Sequence, residues 1–114
     1  MTSVPEITAQ QLSEMLNAEE GFVLLDVREP FEVTRAKWND ERVVYVRMNE
    51  LAQRGVEALS GLSEARPLVV ACHHGIRSYQ VVHWLAAQGW EQVFSLRGGI
   101  EAYAMEVDAS VGRY

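Results

Sequence analysis

Apolar residues fall along this chain in short runs of two kinds. Phe22-Val23-Leu24-Leu25-Asp26-Val27, Val43-Val44-Tyr45-Val46, Leu68-Val69-Val70-Ala71 and Val93-Phe94-Ser95-Leu96 are nearly continuous. Their length and β-branched content predict strands, and the first suits a parallel strand covered on both faces. Between them apolar positions recur at helical spacing: Leu12, Met15 and Leu16; Phe31, Val33 and Ala36; Leu51, Ala52, Val56 and Leu59; then Val81 and Leu85, and last Ile100, Tyr103 and Ala104. Punctuation agrees with this division. Thr8-Ala9-Gln10-Gln11 has the form of a capping box, its helix expected to end near Asn17 before a turn around Gly21. Pro30 suits a first helical turn, and Gly89 stops the helix predicted over 78–88. Glu6-Ile7-Thr8 is expected as a short extended entry, 61–67 as a loop, and the tail from Val107 to Tyr114 as irregular.

Strands alternating with helices at this spacing need crossover connections. The expected fold is therefore α/β, a mainly parallel sheet of about five short strands with helices on both faces, in a single domain over 1–114. In such a sheet the site lies at the carboxyl ends of the strands. Cys72, the Asp26/Arg28 pair and Gly98-Gly99 all fall at that edge. There is no internal repeat, low-complexity segment or linker.

Composition narrows the function classes. The 114 residues are 48% hydrophobic and 23% charged, ordinary for a soluble globular protein, with a formal net charge of −6. That charge, with no basic run, disfavours nucleic acid and anionic membranes as partners. No apolar run approaches membrane-spanning length. The start, Met1-Thr2-Ser3-Val4-Pro5-Glu6, lacks a charged region followed by an apolar one, so no secretory signal is expected. The single cysteine excludes an internal disulfide and any C-x-x-C motif. A cytoplasmic protein with a free thiol fits these observations.

That cysteine ends the run Leu68 to Ala71. His73-His74-Gly75-Ile76 separate it from Arg77, and Ser78 is placed to cap the helix that follows. Strand, tight loop and helix in this order aim backbone N–H groups and the positive end of the helix at the sulfur. An anion is favoured there, so Cys72 is expected as the nucleophilic thiolate. A cysteine inside the strand would read as a small buried hydrophobe instead. Gly75 supplies a backbone conformation that lets the loop curl around its own N–H groups.

Leu24-Leu25-Asp26-Val27-Arg28-Glu29, Cys72-His73-His74-Gly75-Ile76-Arg77-Ser78 and Leu96-Arg97-Gly98-Gly99-Ile100-Glu101-Ala102-Tyr103 together resemble a single-domain rhodanese, a sulfurtransferase, over nearly the whole chain. The Cys-x-x-Gly-x-Arg-Ser loop is the specific part. The resemblance implies that Cys72 attacks the outer sulfur of a donor such as thiosulfate and becomes a persulfide. It then yields that sulfur to cyanide, a thiol or a protein acceptor, without metal or cofactor. The implied substrate-binding residues are His73, His74, Gly75, Ile76, Arg77 and Ser78, with Asp26 and Arg28 in support. The family's His-Ile-Pro-Gly-Ala-like segment is replaced by Ala36-Lys37-Trp38-Asn39-Asp40-Glu41-Arg42-Val43, a departure near the site mouth.

Other readings compete. Cysteine phosphatases and arsenate reductases of the related fold carry one more residue between nucleophile and arginine, and this loop also lacks an acid to protonate a leaving alcohol. A metal site from Cys72, His73, His74 and His83 is disfavoured, because adjacent ligands seldom converge and no zinc spacing is present. His73 and His74 are read either as lining the pocket, where positive charge helps an anionic donor, or as loop surface. Arg77 is read as a structural partner of Glu32 or Asp26, in preference to an anion clamp. A persulfide carrier that serves a protein partner is the remaining alternative.

Overall fold

The apolar runs become the strands of one sheet in the computed structural model, which describes residues 4–18 and 21–114. In chain order the elements are β1 (Glu6–Ile7), α1 (Ala9–Asn17), β2 (Val23–Asp26), α2 (Pro30–Val33), β3 (Val43–Tyr45), α3 (Met48–Arg54), β4 (Leu68–Ala71), α4 (Ile76–Ala87), β5 (Val93–Leu96) and α5 (Gly99–Glu106). The strand order is β1-β5-β4-β2-β3, with every pairing parallel. The α/β architecture expected from the sequence, a parallel sheet of five strands, is the one observed.

Central β4 is buried at every position, which is why its sequence is continuously apolar. Alternation along β2 and β4 sorts its neighbours into two cores. Leu25, Val70 and Cys72 face Leu51 of α3 and Val81, Val82 and Leu85 of α4. Leu24, Val69 and Ala71 face Leu12 of α1 and Ile100, Tyr103 and Ala104 of α5. Each fully buried Leu or Val stabilises the fold by about 1.5–3 kcal/mol relative to exposure.

The capping box is present as predicted. Thr8 Oγ1 accepts the Gln11 N–H at 3.1 Å, and the Gln11 side chain accepts the Thr8 N–H at 2.8 Å. Three expectations are corrected. The helix after Pro30 closes at Val33 rather than running through Ala36: the Phe31 carbonyl accepts the Thr34 hydroxyl at 2.7 Å, and the Arg35 N–H turns to the Glu32 carbonyl at 3.0 Å instead. The Leu51-to-Leu59 helix breaks at Gly55, whose φ of +64° turns the chain into a 3₁₀ segment over 55–59 and leaves Val56 exposed. The tail is not irregular throughout: Ala109–Val111 forms a 3₁₀ turn with Val111 buried.

The departure at 36–43 serves packing. Ala36 and Trp38 are buried, Trp38 meets the Tyr103 ring edge-on at 5.0 Å, and the Lys37 N–H donates to the Val111 carbonyl at 2.7 Å. This stretch holds the tail against the domain.

Candidate active site

Register brings the chemistry together. Asp26 at the end of β2 lies level with Ala71, and Ser95 of β5 lies level with Val70. The segments leaving these strands emerge side by side at the carboxyl edge.

Cys72 continues the alternation of β4 into the α4 core and is only 1% exposed. Its Sγ accepts the Gly75 N–H at 3.1 Å and the Ser78 N–H at 3.3 Å, with Ser78 Oγ 3.5 Å away. Gly75 makes this turn with φ +98°, and a Cβ there would come to 3.0 Å from the Gly98 nitrogen. Helix α4 therefore starts at Ile76, earlier than expected, with Gly75 at its N-cap. Ser78 is not the cap but lies inside the first turn. Its hydroxyl donates to the Gly75 carbonyl at 3.2 Å and shares a 2.8 Å hydrogen bond with Ser95 Oγ.

The Gly98-Gly99 turn closes on the loop from the other side. The carbonyls of Cys72 and His73 accept the N–H groups of Ile100 and Glu101 at 2.9 and 3.2 Å. A Cβ on Gly99 would collide with both carbonyls, so only glycine permits this approach.

Two arginines anchor the surroundings. Arg28 and Asp26 form a pair with both side chains fully buried, the closest atoms 2.8 Å apart. Arg28 also donates to the carbonyls of Glu32 (3.3 Å) and Ala36 (2.8 Å) and to the Tyr114 hydroxyl (3.1 Å). Burial opposes its charge, but the hydrogen bonds to Asp26 and Tyr114 outweigh it and the pKa rises. Arg77 places its two terminal nitrogens on the two Glu32 oxygens, each at 2.8 Å. The structural pairing with Glu32 expected from the sequence is therefore the one observed. Glu32 titrates at about 2, because the Arg77 hydrogen bond outweighs the cost of burial, helped by the Glu29 N–H and the Tyr114 hydroxyl.

The histidines divide. His74 is exposed and lines an open cavity of about 400 Å³ with Gly75, Ile76, Tyr79, Arg97 and Gly98. His73 is stacked between His74 (3.8 Å) and Tyr114 (3.7 Å), with Nε2 buried and unpartnered. Burial first, then the neighbouring His74, pushes the His73 pKa down. Burial therefore works against the positive charge expected of His73. His83 sits on the exposed side of α4, away from the sulfur. Among the described residues no helix is long and apolar enough to cross a membrane.

Sequence reasoning did not single out Ser95, Arg97 or Tyr114 as site residues. Ser95 read as a strand position and Arg97 as part of the Gly-Gly segment. Tyr114 lay in a tail with no periodic signal.

Comparison with known proteins places this geometry in context. The model of the rhodanese-like domain matches residues 8–106. A sulfurtransferase of Allochromatium vinosum is 33% identical over 106 residues, with 89% of each chain covered. The thiosulfate sulfurtransferase GlpE of Haemophilus influenzae is 30% identical over 105 residues, again covering 89% of each. The chloroplastic rhodanese-like/PpiC domain-containing protein 12 of Arabidopsis thaliana is 36% identical over 91 residues; the match takes in 80% of this chain but only 30% of that protein. The crystal structure of a rhodanese-like domain protein from Staphylococcus aureus superposes with a TM-score of 0.72 at 22% identity, covering 87% of this chain and 90% of that one.

Proposed function

Since this chain belongs to the rhodanese-like domain family, we propose that it is a sulfurtransferase that carries sulfur as a persulfide on Cys72. One observation supports the reading above the others. The only cysteine lies at the head of α4, with two backbone N–H groups on its sulfur at 3.1 and 3.3 Å. Such donors stabilise negative charge on sulfur without a metal or cofactor.

In the first step Cys72 Sγ, as thiolate, attacks the outer sulfur of a thiosulfate-like donor. The new bond is Sγ–S, the donor's S–S bond breaks, and sulfite leaves with the electron pair. In the second, cyanide or a thiolate attacks the terminal sulfur and the Sγ–S electron pair returns to Cys72. Splitting the transfer this way is nucleophilic catalysis through a covalent intermediate. The N–H groups of Ile76 and Arg77, in the first turn of α4 and without intrahelical acceptors, are available to the terminal sulfur. Arg97 and His74 line the neighbouring cavity, where Arg97 is paired with Glu6 at 3.4 Å. Asp26 and Arg28 support the edge from beneath.

A protein sulfur acceptor is the second reading. Exposed Ile76 and Tyr79 beside the cavity favour it. A phosphatase reading finds less support, because both terminal nitrogens of Arg77 are engaged by Glu32 rather than free for an oxyanion. The proposed compartment is the cytoplasm, where such a thiol stays reduced.

Intact mass spectrometry after brief incubation with thiosulfate tests the proposal. The expected result is a gain of one sulfur atom, removed by cyanide with release of thiocyanate. It is absent in Cys72→Ser, whose melting temperature stays near that of the parent. Turnover retained in Cys72→Ser would sink the assignment.

A further inference from the structure

Building on the sulfur-transfer reading, we propose that Tyr114 is a positioning residue for Cys72, clamping both ends of the cysteine loop from outside it. The loop, His73 to Arg77, includes the first two residues of α4. The Tyr114 ring lies on the His73 ring at 3.7 Å with an interplanar angle of 11°. Its hydroxyl receives a hydrogen bond from Arg28 at 3.1 Å and donates one to Glu32 Oε1 at 3.0 Å. Glu32 in turn holds Arg77 through two 2.8 Å bonds. One side chain thus reaches the first residue of the loop by stacking and the last through a carboxylate.

The segment that delivers Tyr114 is itself fastened. Val111 is buried, and its carbonyl takes the Lys37 N–H at 2.7 Å. A Cβ at Gly112 would come to 2.7 Å from the Arg35 carbonyl oxygen, so the backbones pass in direct contact. Arg113 grips Glu101 Oε2 at 2.6 and 3.1 Å, and the N–H of Glu101 already holds the His73 carbonyl at 3.2 Å. The terminal residues converge on the peptide that follows Cys72.

The consequence is alignment. The Gly75 and Ser78 N–H groups reach Sγ only while the loop keeps its tilt, and small displacements of a reacting group are costly to rate. The hydroxyl is also enclosed by Arg28 and Glu32, so the ring cannot leave His73 without breaking charged hydrogen bonds.

The test compares Tyr114→Ala with Tyr114→Phe, which keeps the stack and loses only the hydroxyl. Persulfide formation on Cys72 from thiosulfate is followed by rapid quench and mass spectrometry, with rates taken per mole of folded protein. Hydrogen exchange of the Gly75 and Ser78 amides is read by NMR. In Tyr114→Ala, sulfur uptake should slow about tenfold through kcat with donor KM nearly unchanged, because the lost contact acts on alignment rather than on donor binding. The two amides should exchange about tenfold faster, the upper end for one buried hydrogen bond. Tyr114→Phe, which keeps the stack but loses the link to Glu32, should fall between the parent and Tyr114→Ala in both. Parental kinetics in Tyr114→Ala, or slower uptake with unchanged amide exchange, overturns the clamp. If the unmodified protein takes no sulfur from thiosulfate, the functional reading fails, and amide exchange alone decides whether the clamp stands.

Discussion

Two arginine–carboxylate pairs stand at the same edge of the sheet and are built for different duties. Asp26 and Arg28 are two residues apart, wholly buried, and joined by three side-chain hydrogen bonds of 2.8 to 3.1 Å. Glu32 and Arg77 are 45 residues apart, and the arginine side chain is 32% exposed. The first pair is closed on itself and on carbonyls, so it serves the fold. The second joins α2 to the first turn of α4, the turn whose Ser78 N–H reaches the cysteine sulfur. Burial tells them apart: a charge sealed from water depends on its partner, whereas one at the surface falls back on solvent.

That contrast predicts a graded series. Arg28→Ala should have the largest effect, because it strands a buried Asp26 carboxylate and releases the Glu32 and Ala36 carbonyls. The expected loss is about 3–5 kcal/mol in urea unfolding. A loss below about 1 kcal/mol would erase the distinction between the pairs.

Glu32→Gln should destabilise less, by about 1–2 kcal/mol, since water rescues the released Arg77. It should still slow sulfur uptake by Cys72. The same carboxylate makes the comparison pH-dependent. Its pKa falls from an ordinary 4.5 to about 2 in the folded protein. The stability it contributes is therefore fully present above about 4.5 and is lost as pH falls from there through about 2. Thermal melts of the parent between those values should fall more steeply with acid than melts of Glu32→Gln. Parallel curves would mean that Glu32 carries no such linkage.

Ser95→Ala should have the smallest effect. Ser95 is buried and its hydroxyl meets Ser78 Oγ at 2.8 Å, but Ser78 keeps the Gly75 carbonyl as a partner. A cost of about 0.5–1.5 kcal/mol is expected, with a small change in Cys72 alkylation by iodoacetamide. A larger loss of reactivity than in Glu32→Gln would move the control of the sulfur from the ion pair to the serine pair.

Much of this protein follows from local sequence. Alternation along Leu68-Val69-Val70-Ala71, the box Thr8-Ala9-Gln10-Gln11 and the spacing from Cys72 to Ser78 act over a few residues, where hydrogen bonding and side-chain period leave few choices. They determined the parallel sheet and the placing of Cys72 at its carboxyl edge. Local sequence places Asp26 and Arg28 at that edge but leaves their pairing open. Only the tertiary structure decided which amides serve the sulfur, since that rests on Gly75 packing against Gly98 across two strand ends. It also decided the stacking of His73 against His74 and Tyr114 and the hydrogen-bond partners of Ser95 and Tyr114. The Tyr114 hydroxyl bonds groups 82 and 86 residues away, a distance over which no periodic pattern in the chain carries information. Contacts of that kind exist only once the two cores have formed and the tail has a surface on which to fold back.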